Sequence, residues 1–222
     1  LVKVLYGIAH TSILAVLKAL FHFRVYGQHN VPRGKAIIAA NHQSYIDPTV
    51  VGVGVPEEMW YLAREDVFTF APLRWLCLRV NTILIKKRHA DRSAMKAVLR
   101  KLAEGKRVLV FPEGTRSHDG RLQAPERGVS LLAHKSRAPV IPAYVSGTHE
   151  ALPRGAAVIR FHPISVSFGP PLRFDELSLK DGAKRAYHAF SLTVMDAIAC
   201  LKAKREGHPV ARPSPPFSSR EF

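Results

Sequence analysis

The segment Asn41-His42-Gln43-Ser44-Tyr45-Ile46-Asp47-Pro48 sets an imidazole a short step ahead of a carboxylate. Histidine ordinarily titrates close to neutrality, so it can take a proton from a hydroxyl and return it. A nearby Asp can fix the ring tautomer and stabilise the imidazolium. No serine or cysteine nucleophile is required if the substrate brings its own hydroxyl. The same residues also read as a helix start, with Asp47 as N-cap and Pro48 at the first helical position. The pair alone therefore does not separate catalysis from capping.

A second segment, Phe111-Pro112-Glu113-Gly114-Thr115-Arg116-Ser117, follows the apolar run Val108-Leu109-Val110. The run reads as a short buried strand, and Pro112 with Gly114 closes it in a turn whose backbone N–H groups can face a ligand. His42 likewise follows an apolar run, Ala36-Ile37-Ile38-Ala39-Ala40. Ligands of open α/β sheets lie in the crevice outside the carboxyl ends of strands, so two polar motifs at two such ends point to one shared site. In isolation, Glu113 and Arg116 would be an exposed ion pair of little energetic value.

Around these motifs, strand-like runs at 23–28, 36–40, 58–62, 82–86, 107–111, 140–145 and 157–168 alternate with helical patterns at 48–54, 67–79, 91–104, 127–136 and 183–205. The alternation predicts an α/β fold with a mixed, largely parallel central sheet flanked by helices. Residues 1–23 are expected to form an amphipathic, membrane-associating helix. Residues 24–205 form the domain that carries the motifs, and 206–222, rich in Pro, Ser and Arg, read as a disordered tail. In the first helix, Leu1, Val4, Leu5, Ile8, Ile13, Leu14, Leu17, Leu20 and Phe21 spread over a wide apolar surface, whereas Lys3, Gly7, His10, Thr11 and Lys18 share a narrow sector. The charges interrupt a spanning run and favour an interfacial helix. A helix packed on the domain would show the same periodicity. The chain opens on Leu1, and a segment upstream of it is compatible with this pattern.

With 222 residues, 47% of them hydrophobic, the chain can bury a full-sized core without a Gly/Ser linker to divide it. Cys77 and Cys200 sit in apolar helical patterns with no CxxC spacing and read as buried thiols of a reducing compartment. The histidines form no metal-binding pattern. A net charge of +16 calls for a polyanionic surface or partner. Much of it falls between Lys86 and Arg107, where Arg92, Lys96 and Arg100 recur on one face of a helix, Asp91 is its N-cap, and Ala94, Met95, Val98 and Leu102 turn inward. Such a face suits an acidic carrier protein or anionic lipid, or is simply solvated. The chain shows no RRM, KH or zinc module and its aromatics are not interleaved with the basic stretch, which argues against nucleic acid.

The pairing of Asn41-His42-X4-Asp47 with Phe111 to Ser117 resembles the glycerolphosphate and lysophospholipid acyltransferases, most of all the 1-acylglycerol-3-phosphate acyltransferase branch. Pro139-Val140-Ile141-Pro142-Ala143-Tyr144 is similar to a further block of that family, as are Val145-Ser146-Gly147-Thr148 and Ser167-Phe168-Gly169-Pro170-Pro171-Leu172. The second block departs from the family pattern: Lys87 stands where an arginine is usual, with Arg88 beside it, and an ammonium lacks the planar bidentate reach of a guanidinium. The resemblance implies direct acyl transfer from acyl-CoA or an acyl carrier protein to the free hydroxyl of a lysophosphatidic-acid-like acceptor in phospholipid synthesis. It assigns His42 as base and Asp47 as its orienter. Glu113, Gly114, Thr115 and Arg116, with Lys87 or Arg88, would hold the glycerol-phosphate head. It implies no metal or bound cofactor, and a place on the cytoplasmic face of a membrane. Acylation of another lysolipid, such as lyso-ornithine lipid, and a non-catalytic membrane-surface protein are the competing readings.

Overall fold

The computed structural model describes residues 2–64, 81–85, 92–156 and 158–207. Seven strands form one sheet: β1 (Arg24–Tyr26), β2 (Ala36–Ala40), β3 (Met59–Arg64), β4 (Thr82–Ile85), β5 (Arg107–Val110), β6 (Val140–Ser146) and β7 (Ser165–Phe168). Their spatial order is β1-β7-β6-β2-β5-β3-β4. Every pairing is parallel except β6 with β7, so the mixed, largely parallel sheet expected from the alternating pattern is what forms.

The central strand β2 is buried along its whole length. Its side chains alternate between two cores, as the pleat of a strand dictates. Ala36, Ile38 and Ala40 join one with Leu109, Ile141 and Val145, whereas Ile37 and Ala39 join the other with Val108, Val140 and Tyr144. A strand covered on both faces reads as a continuous apolar run, which is why no polar residue interrupts it. Helices α1 (Val2–Phe21) and α2 (Asp47–Gly54) cover the first face. On the second lie α3 (Arg92–Ala103), α4 (Gly128–Ser136) and α6 (Ala183–Glu206), whereas the short α5 (Thr148–Ala151), following β6, buries Ala151 in the first core. In α3, Ala94, Val98 and Leu102 are buried and Met95 packs beside them, while Arg92, Lys96 and Arg100 face solvent.

Pro142 lies inside β6 at little cost. Its carbonyl accepts the Gly169 N–H at 2.8 Å just past the end of β7, so its missing donor falls outside the regular β6–β7 ladder.

Two expectations need correction, and the packing of α1 is added to a third. The run 157–168 is a strand only over Ser165–Phe168. Both neighbours of β7 stop at Ser165, which pairs with Arg24 on one side and Ser146 on the other, and Pro163 has no N–H to extend a ladder. Helix α1 packs on the domain through Leu17 and Phe21, with Ile13 and Leu14 beside them. His10, in the polar sector, is half-buried, its Nε2 lying 3.3 Å from the Val55 carbonyl, whereas Ile8, Val16 and Leu20 remain exposed. Cys200 is half-buried rather than buried. The helix expected at 67–79, with Cys77, the N-cap Asp91 and the tail beyond 207 lie outside the described residues.

Candidate active site

Strand β2 delivers His42 at its carboxyl end, and the neighbouring β5 delivers Glu113 at the same edge. The His42 Nδ1 lies 2.8 Å from Asp47 Oδ2. An ionised carboxylate can only accept, so Nδ1 carries the proton and Nε2 presents its lone pair. The imidazole stacks on Phe111 at 3.8 Å between centroids with planes 12° apart, and its side chain stays 17% exposed. The ring is thus held from one face and one edge, leaving the Nε2 edge for a substrate.

Asp47 is wholly buried. Its Oδ2 also accepts the backbone N–H groups of Gln43 at 2.6 Å and Ser44 at 2.7 Å. The carboxylate therefore turns back into the loop rather than forward into α2. The capping role expected for Asp47 is not made, although Pro48 does lie in the first turn. The helix opening instead presents Asp47 to the imidazole.

Glu113 holds the same histidine by its main chain. Its Oε1 accepts the His42 N–H at 2.8 Å and its Oε2 accepts the Gln123 N–H at 2.9 Å. Burial pushes this carboxyl up to about 7, against the two backbone N–H groups that pull it down. The His42 carbonyl in turn receives the Ser117 N–H at 2.7 Å, so residue 42 is bracketed on both sides by the loop after β5. That loop turns sharply at Gly114, which has φ +67 and whose N–H reaches the Phe111 carbonyl at 3.0 Å. A Cβ there would come within 2.5 Å of the Glu126 carboxylate, and an L side chain rarely adopts that φ.

Arg116 comes from the same loop and stacks its guanidinium 3.4 Å above the ring of Tyr45, which belongs to the His42 loop. Its Nη1 is buried and has no hydrogen-bond partner among the described residues. A buried guanidinium nitrogen without an acceptor retains the capacity to donate to an anion. Gly114 and Thr115 are exposed beside it. The structure therefore brings His42, Asp47, Glu113, Gly114, Thr115 and Arg116 to one edge of the sheet, while Lys87 and Arg88 lie outside the described residues.

Several supports carry no obvious chemical label in the sequence. Asn41 extends the ladder by its side chain once the β2 backbone departs: its Nδ2 donates to the Val145 carbonyl at 3.0 Å and its Oδ1 accepts the Val145 N–H at 2.7 Å. Gln43 donates to the same carbonyl at 2.9 Å and to Thr148 Oγ1 at 3.2 Å. Ser44 donates to the Leu152 carbonyl at 2.7 Å. Each belongs to the octapeptide around His42, and that adjacency was the available signal.

A family model described as Acyltransferase matches residues 22–146, more than half of the chain and a span that includes His42, Asp47, Glu113 and Arg116, and the protein belongs to that family. Among named relatives, a 1-acyl-sn-glycerol-3-phosphate acyltransferase of Limnanthes douglasii is 33% identical over 159 residues, 64% of this chain and 52% of that one. One from Bacillus subtilis is 27% identical over 146 residues, covering 64% of this chain and 72% of its own. The chain thus spans about half the length of the plant relative. The crystal structure of the 1-acyl-sn-glycerophosphate (LPA) acyltransferase PlsC from Thermotoga maritima shares the fold, with a TM-score of 0.68 and 22% identity over 87% of this chain and 81% of that one.

Proposed function

We propose that the protein is a 1-acylglycerol-3-phosphate O-acyltransferase that makes phosphatidic acid for phospholipid synthesis. The observation that carries this reading is the His42–Asp47 pair, 2.8 Å apart, at the same sheet edge as the buried Nη1 of Arg116, which has no hydrogen-bond partner among the described residues. A base beside an anion receptor suits an acceptor that bears both a hydroxyl and a phosphate.

In the proposed reaction, His42 Nε2 removes the hydroxyl proton as the acceptor oxygen bonds to the carbonyl carbon of an acyl thioester. The tetrahedral oxyanion then collapses, the C–S bond breaks, and the thiolate leaves with the proton returned by the imidazolium. Asp47 holds the ring in the productive tautomer throughout. Atoms balance with two substrates and one imidazole, without a metal or bound cofactor. Arg116 receives the phosphate, with Gly114 and Thr115 allowing its oxygens close to the backbone. Glu113 supports this chemistry by keeping the His42 main chain in place, a different task from the substrate contact its motif suggests. The exposed row Arg92, Lys96 and Arg100 supports docking of an acidic acyl carrier protein, with acyl-CoA as the other donor. No helix among the described residues is long and apolar enough to cross a membrane. The enzyme is proposed to work from the cytoplasmic membrane face.

The test is an acceptor screen with labelled acyl thioester, supplied in turn as acyl-CoA and as acyl carrier protein. Label is expected in phosphatidic acid when 1-acylglycerol-3-phosphate is offered. Label in another lysolipid alone would reassign the head group, and no transfer from either donor would refute the enzymatic reading.

A further inference from the structure

Apolar residues crowd the tip of the loop between α5 and β7: Val158 is 73% exposed, Ile159 48% and Phe161 75%, with exposed Arg160 among them. Singly exposed apolar side chains are ordinary surface, but three in four consecutive residues are not. Nor is this a slack segment. The Arg160 N–H donates to the Ala151 carbonyl at 2.8 Å, and the Ile164 N–H to the Phe21 carbonyl at 2.9 Å. Phe161 rests on the Phe21 ring at 5.8 Å between centroids. At the loop's base, Gly147 has φ +82 and the Pro163 carbonyl lies where its Cβ would be. The fold holds these side chains out in water on purpose-built supports.

Charge says what covers them. From Ala151 to Phe174 the chain has Arg154, Arg160, Arg173 and His162 but no Asp or Glu. Exposed His22 and Arg24 follow the last turn of α1, where Leu20 is also exposed. Apolar side chains alternating with cations fit an anionic bilayer, where rings and aliphatic groups enter the acyl boundary and arginines meet lipid phosphate. The position fits as well. Ser165 pairs with Ser146 at the carboxyl end of β6, and Leu152, at the start of this loop, accepts the Ser44 hydroxyl from the His42 loop. The tip therefore rises from the same sheet edge as the imidazole.

We propose that residues 158–161 insert into the surface of an anionic membrane, with Arg154 and Arg160 on lipid phosphates, and hold the carboxyl edge of the sheet against the bilayer. Its consequence for catalysis rests on the acyltransferase reading: an acceptor embedded in that bilayer would reach His42 without crossing water.

The test is co-sedimentation of the full chain with phosphatidylcholine vesicles, with and without phosphatidylglycerol. Replacing Val158, Ile159 and Phe161 together by Ser should lower partitioning onto the mixed vesicles by at least about tenfold. Arg160→Gln should lower it by about fivefold, and only on the anionic vesicles. Phe161→Trp guards against misfolding of the triple variant: its fluorescence should be quenched by lipids brominated on the acyl chain more than that of the parent. Unchanged partitioning of the triple variant, loss only when Ile8, Val16 and Leu20 are replaced by Ser, or no added quenching would each overturn the proposal. With a water-dispersed short-chain acceptor the triple variant should keep its turnover, and with a vesicle-embedded acceptor it should lose it. If the parent binds through this loop yet acylates no lysolipid, the docking surface stands and the acyltransferase reading falls.

Discussion

Two buried carboxylates serve one histidine from opposite sides, and they do so differently. Asp47, at the start of α2, gathers the imidazole N–H and two backbone N–H groups on a single oxygen. Glu113, on the loop after β5, gives one oxygen to each of two backbone N–H groups, that of His42 and that of Gln123. Asp47 therefore sets where the imidazole proton sits, while Glu113 sets where residue 42 sits. A change at the first should disable proton transfer directly, and a change at the second should act through placement alone.

Asp47→Asn gives the largest effect of this kind. The amide keeps the shape, and the Gln43 and Ser44 N–H groups hold its oxygen toward Nδ1, but it lacks the charge that stabilises the imidazolium, and turnover should fall by about 10²–10⁴-fold. Steady-state kinetics beside a cooperative thermal melt check it. A drop no larger than that of Glu113→Gln would erase the distinction between the two carboxylates.

Arg116→Ala tests the proposed anion contact on the same loop as Glu113. Charge-assisted contacts of this type are worth about 1.5–3 kcal/mol, so the acceptor KM should rise by about 10–100-fold. The thioester KM should hardly move. Equal rises for both substrates would remove Arg116 from the head-group role.

The smallest effect concerns Glu113 itself, and its sign follows from burial. Its carboxyl is raised from 4.5 to about 7, so between those values the folded protein keeps a proton that the unfolded chain has released. Its contribution to stability is fully present below 4.5 and is lost as pH rises through about 7. Denaturant midpoints across that window should fall more steeply for the parent than for Glu113→Gln, whose turnover should drop only about tenfold. Parallel midpoints in the two proteins would show that this carboxyl is not raised.

The same contrast explains what could be read from the chain. His42 and Asp47 were legible because both chemical groups lie within one octapeptide, and β2 and β5 because strands covered on both faces are written as unbroken apolar runs. The role of Glu113 was not legible. Its partner His42 N–H lies 71 residues away and is a main-chain group that every residue but proline possesses. Asn41 was hidden for the same reason, since its acceptor and donor belong to the backbone of Val145. The overlong strand at 157–168 was expected because Ile159, Arg160, Phe161 and His162 alternate apolar with polar as a half-buried strand does. Alternation does not reveal that both neighbours end at Ser165. In α1, periodicity located an apolar surface but not its division between protein and solvent, nor the half-burial of His10.

The most direct measurement is transfer of a labelled acyl group from thioester to 1-acylglycerol-3-phosphate by the His42→Ala protein. If His42 is the base, transfer should fall by at least about 10²-fold while the melting transition remains cooperative. Turnover close to that of the parent would contradict it.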